Sequence, residues 1–196
     1  MKVKIAITGG IGSGKSMAAT ILREKSYSVY SCDEIYKQVI LSPAYVERIE
    51  KEFPACIEKG VVNRKILSNI VFNNPEKLEK LNAIAHPLIM EKLNDLMNHD
   101  ANEIVFAEVP LLFESGLENK FDKVLVVQRD KTERIKSVLM RDGLSEEEAL
   151  NRINAQFAYD TIEGQAYIQN IGAYVIYNNS TIEALKAQID HFLSNL

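Results

Sequence analysis

The sequence predicts an α/β fold in which a five-stranded parallel sheet forms the centre of a three-layer core, with a helical insertion and a helical lid. Three observations favour this class. Short apolar runs such as 104–108 and 124–127 alternate with segments of helical periodicity, which is typical of a parallel sheet buried on both faces. A glycine-rich turn joins the first strand to the first helix. The chain between the second and third strands is too long for an ordinary crossover.

The glycine-rich turn, residues 9–16, reads Gly-Gly-Ile-Gly-Ser-Gly-Lys-Ser and fits the phosphate-binding pattern G-x-x-x-x-G-K-[ST] at every fixed position. Its glycines let backbone N–H groups point at an anion, and the positive end of the following helix faces the same place. We expect Lys15 to contact the β- and γ-phosphates of a nucleoside triphosphate and the Ser16 hydroxyl to hold Mg²⁺.

The composition of the chain excludes several other classes. A formal net charge of −4 argues against a broad nucleic-acid surface, which would be basic. Cys32 and Cys56 lack metal-ligand spacing and are too few for a disulfide framework, which favours a cytoplasmic protein with reduced thiols. No apolar run approaches the ~20 residues of a membrane span, and the first residues show no signal-peptide pattern.

The segment after the loop predicts a second strand that ends beside an acid. A helix to about Lys25 leads to a strand over 27–31, and Asp33 follows it. Ligands gather at the carboxyl ends of parallel strands, so Asp33 should lie near the phosphate loop, where a carboxylate could accept the proton of an attacking hydroxyl. Its alternative role is to cap a helix that begins at Glu34.

Residues 34–100 are predicted to form several helices that hold a substrate. Apolar residues at helical spacing predict helices over 63–72 and 75–85. Pro87 is expected to break the chain and to open a new helix. His86 is either a functional residue or a cap or core histidine without further function.

The third strand, 104–108, is a nearly continuous apolar run that ends in Glu108. We expect this carboxylate at the same sheet edge as the phosphate loop, where it could act on Mg²⁺ directly or through water. The alternative is that it only hydrogen-bonds Lys15 or nearby backbone. The next segment, 109–116, is too apolar for a solvent turn and should line a cleft or pack beneath the helical insertion.

Two helices after the fourth strand form the predicted lid. The first begins near Lys131 and places Arg134 and Arg141 on one side, and a capping box at Ser145 starts the second, which should bury Phe157. Positive charge on such helices can close over a phosphate site and exclude water. The alternative is a solvated pair of surface helices.

A fifth strand over 174–177 and a final helix complete the predicted core. A second capping box, Ser180 with Glu183, predicts the start of that helix. Residues 158–171 show little pattern, and no structure is predicted for them.

Several of these motifs together resemble the dephospho-coenzyme A kinase family, in the family's order over nearly the whole chain. The matching segments are 8–16, Asp33, 81–89 with its His-Pro pair, 109–114, 141–145, Arg152 with Gln156, and 175–178. The phosphate loop alone indicates only a nucleotide site. The Pro-Leu-Leu-Phe-Glu run and the His-Pro pair, in this order and context, are what resemble this family in particular.

The resemblance implies phosphorylation of the ribose 3′-hydroxyl of dephospho-CoA by ATP with Mg²⁺, the last step of coenzyme A synthesis. It implies a P-loop kinase core over about 1–33, 101–130 and 172–196, a CoA-substrate helical domain over 34–100, and a lid over 131–160. Among the catalytic residues Asp33 would be the base, Lys15 the phosphate ligand and Arg141 the lid arginine. Ser31 stands where the family often has a second Asp, so Asp33 is expected to act alone.

The resemblance and the loop pattern together assign the binding residues. The predicted ATP-binding residues are Gly10, Gly12, Ser13, Gly14, Lys15, Ser16, Met17, Arg141 and Asn178. The predicted substrate-binding residues are Asp33, His86, Leu112, Glu114 and Gln156, and the predicted Mg²⁺ ligands are Ser16 and Glu108. ATP and dephospho-CoA are the expected partners of a monomeric protein, with a trimer left open and with neither nucleic acid nor membrane involved.

Two other functions are left open by the residues themselves. The first is a related kinase that acts on a nucleoside monophosphate, against which the apolar loop 110–113 argues. The second is a nucleotide-dependent switch that only hydrolyses its ligand. Such switches usually carry an Asn-Lys-x-Asp motif, which this sequence lacks.

Overall fold

Strands and helices alternate along the chain, as the sequence predicts. The computed structural model describes residues 2–72 and 74–196. The strands are β1 (Val3–Thr8), β2 (Ser28–Ser31), β3 (Ile57–Glu58), β4 (Val61–Val62), β5 (Ile104–Glu108), β6 (Lys123–Gln128) and β7 (Tyr174–Tyr177). The helices are α1 (Lys15–Glu24), α2 (Cys32–Val39), α3 (Pro43–Glu52), α4 (Arg64–Val71), α5 (Pro75–His99), α6 (Lys131–Asp142), α7 (Glu146–Asn154), α8 (Ile162–Asn170) and α9 (Ile182–Leu193). Single turns of 3-10 helix lie at Pro54–Cys56 and Glu118–Lys120.

The chain divides into two compact units. The first contains the residues up to Val29 together with Asp100–Leu196, and the second contains Tyr30–His99. The phosphate loop, β5 and the two helices of the predicted lid belong to the first unit, whereas α2 to α5 belong to the second. Within the described ranges, no helix is both long enough and apolar enough to cross a membrane.

The five-stranded parallel sheet has the strand order β2-β5-β1-β6-β7. β1 lies at its centre and pairs in parallel with β5 on one side and with β6 on the other, and β6 pairs in parallel with β7. Because all of these strands run in one direction, the loop after β1 and the end of β5 lie at the same edge of the sheet. This arrangement confirms the predicted α/β class.

The core of the first unit is formed by the sheet and by the helices α1 and α9. The buried residues include Ile5, Ile7, Ala18, Leu22, Phe106, Leu125, Val127, Leu185 and Ile189. The central strands are nearly continuous apolar runs because both of their faces are buried: Ile5, Ala6 and Ile7, which point alternately to the two faces, are all 0% exposed. A rigid centre of this kind holds the loop after β1 in a fixed position.

The second unit contains α2 to α5 and a short antiparallel hairpin of β3 and β4. Lys59 and Gly60 connect the two strands with positive φ angles of 52° and 78°. Two successive residues with positive φ are typical of the tight turns that join antiparallel strands. The sequence did not predict this hairpin, because each of its strands is only two residues long.

The predicted helix break at Pro87 is wrong. The helix α5 runs without interruption from Pro75 to His99, with Pro87 inside it. A proline in a helix removes one backbone hydrogen bond and crowds the preceding turn. Here α5 continues because it packs against α2, α3 and α4 and buries Ala85 before the proline and Leu93 and Met97 after it, and tertiary packing contributes more to helix stability than one hydrogen bond does.

Three predictions in the last third of the chain also need correction. The segment that showed little pattern contains α8, whose start is capped by the hydroxyl of Thr161 accepting from Gly164 N at 3.1 Å. The N-cap of α9 is Thr181 rather than Ser180. The lid helix α7 ends at Asn154, before Phe157. The N-cap of α9 was misplaced because Ser180 and Thr181 both offer a hydroxyl, and only the folded chain selects one of them.

Candidate active site

The phosphate loop lies between β1 and α1, in the conformation that its glycines permit. Gly12 and Gly14 have φ angles of 78° and 95°, a region that residues with a side chain rarely adopt. Gly14 is the N-cap of α1, and no side chain caps this helix. The first backbone N–H groups of α1 and its positive end are therefore available to an anion.

Lys15 is the first residue of α1, and its ammonium group lies against the loop. Nζ donates to the carbonyl oxygen of Gly9 at 2.7 Å and to that of Gly10 at 3.1 Å. Met17, also predicted to bind ATP, is partly exposed and donates its backbone N–H to Gly14 O. The positive charge of Lys15 thus lies within the loop that the pattern predicts to hold phosphates.

Ser16 and Glu108 meet at the edge of the sheet. The Ser16 hydroxyl, in the first turn of α1, donates to Glu108 Oε1 at 2.7 Å, and Glu108 is the last residue of β5. The predicted Mg²⁺ ligands are therefore adjacent, and both present oxygen atoms, which Mg²⁺ prefers. Among the described residues no group of three or more His, Cys, Asp or Glu side chains could hold a metal ion. A metal at this point would need oxygen ligands from the phosphates as well.

Asn178, the residue after β7, supports the phosphate loop through a hydrogen bond. Its side-chain amide donates to Ser13 O at 3.0 Å, and the residue is only 9% exposed. A Cβ added to Gly14 would lie 2.2 Å from Asn178 Nδ2, so this glycine is required for space as well as for its φ angle. The predicted ATP-binding residue Asn178 therefore contacts the loop that would hold the nucleotide.

Ile11 in the phosphate loop is held at both of its backbone polar groups. Its N–H donates to Gln156 Oε1 at 2.6 Å, and its carbonyl accepts from Arg134 Nε at 3.1 Å. Arg134 also pairs with Asp160 at 3.0 Å and is only 2% exposed. The sequence predicts Gln156 at the substrate and Arg134 on a helix face of the lid. No pattern in the sequence indicates that either one touches the phosphate loop.

Leu112 and Glu114 lie in the apolar segment after β5. Leu112 is fully buried, and Glu114 Oε1 accepts from Phe157 N at 2.7 Å. Between them, Phe113 packs against Phe157 and Tyr167, with ring centroids 4.8 Å and 5.5 Å away. This aromatic cluster explains why the segment is too apolar for a solvent turn, and it ties the segment to the chain that follows α7.

Asp33 and His86 belong to the second unit. The predicted capping role of Asp33 is wrong, because Ser31 is the N-cap of α2 and its hydroxyl accepts from Glu34 N at 3.4 Å. The carboxylate of Asp33 lies in the first turn of α2 and is exposed. His86 lies inside α5 and therefore caps no helix, and burial lowers the pKa of its imidazole below the usual value.

The two arginines of α6 have different surroundings, although seven residues separate them. Arg134 is buried, whereas the Arg141 side chain is 61% exposed and forms two hydrogen bonds with Asp142, of 2.7 Å and 2.9 Å. The neighbouring carboxylate raises the pKa of Arg141. Arg152 contacts the same carboxylate at 3.4 Å. The capping box at Ser145 is confirmed.

A parallel α/β sheet with a glycine-rich phosphate loop between β1 and α1, and with an acid at the end of the neighbouring strand, is typical of P-loop nucleotide-binding proteins. Comparison with known proteins narrows the class. A family model described as dephospho-CoA kinase matches residues 3–183. The chain belongs to the dephospho-CoA kinase family.

Individual relatives agree with this family. A dephospho-CoA kinase of Fusobacterium nucleatum is 36% identical over 98% of this chain and 97% of its own length. A crystal structure from Thermus thermophilus covers all of this chain and 98% of its own, with 32% identity and a TM-score of 0.83. The structure of a dephospho-CoA kinase from Campylobacter jejuni covers 100% of this chain and 97% of its own, with 29% identity and a TM-score of 0.69. Family membership favours neither the nucleoside monophosphate kinase nor the nucleotide switch.

Proposed function

We propose that the protein transfers the γ-phosphoryl group of ATP to the ribose 3′-hydroxyl of dephospho-CoA and releases coenzyme A and ADP. The observation that carries this proposal is the match of the dephospho-CoA kinase family to residues 3–183, which include the phosphate loop. In the reaction, the 3′-oxygen forms a bond to the γ-phosphorus and the bond from that phosphorus to the β,γ-bridging oxygen breaks. The hydroxyl proton passes to a base.

The loop residues Gly10 to Ser16 would bind the triphosphate, as their geometry supports. Lys15 Nζ, which donates to the carbonyls of Gly9 and Gly10 in this structure, would turn to the β- and γ-phosphates. Phosphates are stronger acceptors than carbonyls because they are charged. Asn178 would stabilise the conformation of the phosphate loop through its hydrogen bond to the carbonyl of Ser13.

Ser16 and Glu108 would hold Mg²⁺ together with phosphate oxygens. The 2.7 Å hydrogen bond from the Ser16 hydroxyl to Glu108 Oε1 supports this assignment, because two oxygen atoms lie together beside the phosphate loop. Mg²⁺ is commonly bound by one or two protein oxygens, with phosphates and water completing the octahedron. When bound, it neutralises charge that develops on the β- and γ-phosphates.

Asp33 would accept the proton of the 3′-hydroxyl. Its carboxylate is exposed, and its possible structural role as a helix cap is filled by Ser31, which leaves it available to a substrate. His86 would contribute to the substrate site as a neutral imidazole, since burial lowers its pKa. Leu112, Glu114 and Gln156 would also contribute to binding of dephospho-CoA.

Arg141 would bring positive charge onto the transferring phosphoryl group when the lid closes. Its side chain is 61% exposed and bound to the neighbouring Asp142, so a short movement would free it for a more highly charged partner. The helices α6 and α7 would thus act as a lid rather than as a solvated surface pair.

We further propose that the protein is a cytoplasmic monomer that acts on small molecules and uses neither nucleic acid nor membrane. The net charge of −4 supports the absence of nucleic acid, and Cys32 and Cys56, which are not joined in a disulfide, support a reducing compartment. A trimer is the alternative for the assembly. Sedimentation equilibrium separates the two, because the mass measured would be that of one chain or of three.

The proposed activity is tested by ADP release with ATP and Mg²⁺, with and without dephospho-CoA, and with adenosine and AMP as control acceptors. We expect release that depends on dephospho-CoA and a product heavier by one phosphate in mass spectrometry. Release at one slow rate with every acceptor would leave the nucleotide site intact and overturn the substrate assignment.

A further inference from the structure

We infer that Arg134 is a positioning residue that fixes the phosphate loop in its nucleotide-binding shape. The inference rests on the proposed kinase function. It starts from burial: the Arg134 side chain is only 2% exposed, although arginine is among the residues least often buried. Placing a full charge in a protein interior costs free energy unless the charge is paired and hydrogen-bonded. A buried arginine that lies against a functional loop therefore needs an explanation.

The first partners of Arg134 give its guanidinium a defined direction. Nη1 pairs with Asp160 Oδ2 at 3.0 Å, and Nε donates to the carbonyl of Ile11 at 3.1 Å. A planar guanidinium with two of its nitrogens bound cannot rotate without breaking one of the bonds. The side chain thus links the chain beyond α7 to the middle of the phosphate loop.

The loop glycines fit this arginine closely. A Cβ on Gly10 would lie 2.3 Å from Arg134 Nη2, and a Cβ on Gly12 would lie 2.6 Å from the backbone oxygen of Arg134. Both distances are far below van der Waals contact, so α6 and the guanidinium approach the loop as closely as glycine allows. Gly10 and Gly12 occupy variable positions of the motif, where the motif does not require glycine. In this chain both are glycine because Arg134 and α6 leave no space for a side chain.

Gln156 completes the arrangement from the other side of the same peptide. Its Oε1 accepts from Ile11 N at 2.6 Å, so that the N–H and the C=O of one loop residue are both held by side chains. An unheld loop would sample many backbone conformations, and binding would have to order it at a cost in entropy. Because the N–H and the C=O of Ile11 are already hydrogen-bonded, part of the entropic cost of ordering the loop does not arise when the nucleotide binds.

One nitrogen of the Arg134 guanidinium forms no hydrogen bond with the part of the chain that the structure describes. Nη2 is buried and has no hydrogen-bond partner within residues 2–72 and 74–196. Nearby, Tyr159 is buried beside Thr8, and burial raises the pKa of its phenol, so Tyr159 adds no negative charge. Asp160 is 45% exposed and is the carboxylate that pairs with the arginine. The position of the guanidinium beside Gly10 adds to the positive potential at α1 that favours a phosphate.

The test compares two variants. Arg134→Met keeps much of the side-chain volume but removes the positive charge and the N–H donors of the guanidinium. Arg134→Lys keeps the positive charge but not the planar guanidinium. Equilibrium binding of ATP is measured by calorimetry, and the KM for each substrate and the kcat are measured by ADP release. We expect Arg134→Met to weaken ATP binding by about 10–100-fold, the usual effect of losing charge-assisted hydrogen bonds. The KM for dephospho-CoA should change less than about twofold, and Arg134→Lys should recover only part of the loss.

Lys136→Met is the matched control, because Lys136 lies on the same helix, is exposed and pairs with Glu133 on the helix surface. It should bind ATP as the unmodified protein does. Lower thermal stability of Arg134→Met with unchanged ATP affinity would overturn the inference, since Arg134 would then only stabilise the fold. If Arg134→Met does not fold, unchanged ATP affinity in both Arg134→Lys and Asp160→Asn would overturn it. ATP binding is measured without the acceptor, so a failure of the dephospho-CoA assignment leaves this test valid.

Discussion

The hydroxyl of Ser16 and the carboxylate of Glu108 lie 2.7 Å apart, and this contact joins the first turn of α1 to the last residue of β5. Both residues are fixed by regular structure rather than by a mobile loop. The parallel pairing of β1 with β5 brings them together, since Ile7 pairs with Glu108 in the register of the two strands. The contact is therefore a consequence of sheet topology and can be tested as a metal site.

Glu108→Gln should raise the Mg²⁺ concentration required for half-maximal activity by about 10–100-fold, because the substitution keeps the shape but removes the charge from the proposed metal site. Titration of ADP release with Mg²⁺ at fixed ATP measures the change. Glu103→Gln, at an exposed position just before the same strand, should leave the titration unchanged. Equal Mg²⁺ dependence in both variants would show that Glu108 has only a structural role.

Asp33→Asn should lower kcat by about 10²–10⁴-fold, the usual contribution of a general base, because an amide cannot accept the hydroxyl proton. ATP affinity should not change, since the phosphates are bound by the loop. The comparison variant is Glu34→Gln, which alters the next exposed carboxylate in the same turn of α2. A kcat near normal for Asp33→Asn would remove Asp33 from the role of base.

Arg141→Met should reduce kcat by about 10²–10³-fold, a typical loss for removing one group that stabilises charge in the transition state. The arginine is exposed and paired with Asp142, so its loss should change the stability of the fold little. Arg152→Met removes the other arginine that contacts Asp142. If both variants reduce kcat equally, the effect comes from the charge of the lid in general and not from Arg141 itself.

The sequence predicted the phosphate loop well because its strand, turn and helix are contiguous and every fixed position carries a local requirement. The same holds for β5 and β7, whose bounds are those expected from their apolar runs. The contacts of Ile11 with Arg134 and Gln156 could not be predicted, because they join residues more than 100 positions apart. An arginine on a helix normally indicates a solvated face, and only the packing of α6 against the loop reverses that expectation.

At Pro87 a local sequence rule gave a wrong prediction. A local rule predicted a helix break, and packing on both sides of the proline overrode the rule. The helix α8 was missed because its apolar residues do not form a clear stripe, and only Gly164 and Ile168 are buried in it. Local patterns thus predict which residues carry the chemistry of the site, whereas the contacts that support the phosphate loop depend on tertiary structure.

Gly14→Ala and Asn178→Ala should be coupled in a double-mutant cycle. Asn178→Ala should lower the free energy of unfolding by about 1–3 kcal/mol, because it leaves the buried carbonyl of Ser13 without its donor. Gly14→Ala suffers both the strain of a φ of 95° and a clash 2.2 Å from Asn178 Nδ2. In the Asn178→Ala background only the strain of about 1–2 kcal/mol remains.

The cycle is measured by urea unfolding of the four proteins, with a Tyr177→Phe variant as a control at the neighbouring exposed position. We expect Gly14→Ala to cost less in the double variant than alone. Additive effects would mean that Asn178 does not approach the loop as closely as this structure places it.

His86 should make the stability of the protein depend on pH. Burial lowers the pKa of the folded imidazole below the value of about 6.5 that it has when unfolded. Between these two values the unfolded chain binds more protons than the folded one, so the free energy of unfolding rises with pH through this window and falls on acidification. Urea unfolding between about pH 5 and 7.5 should show this slope. The slope should decrease in His86→Gln and persist in His99→Gln, whose side chain is 80% exposed. Equal slopes in the unmodified protein and His86→Gln would mean that His86 is protonated equally in both states.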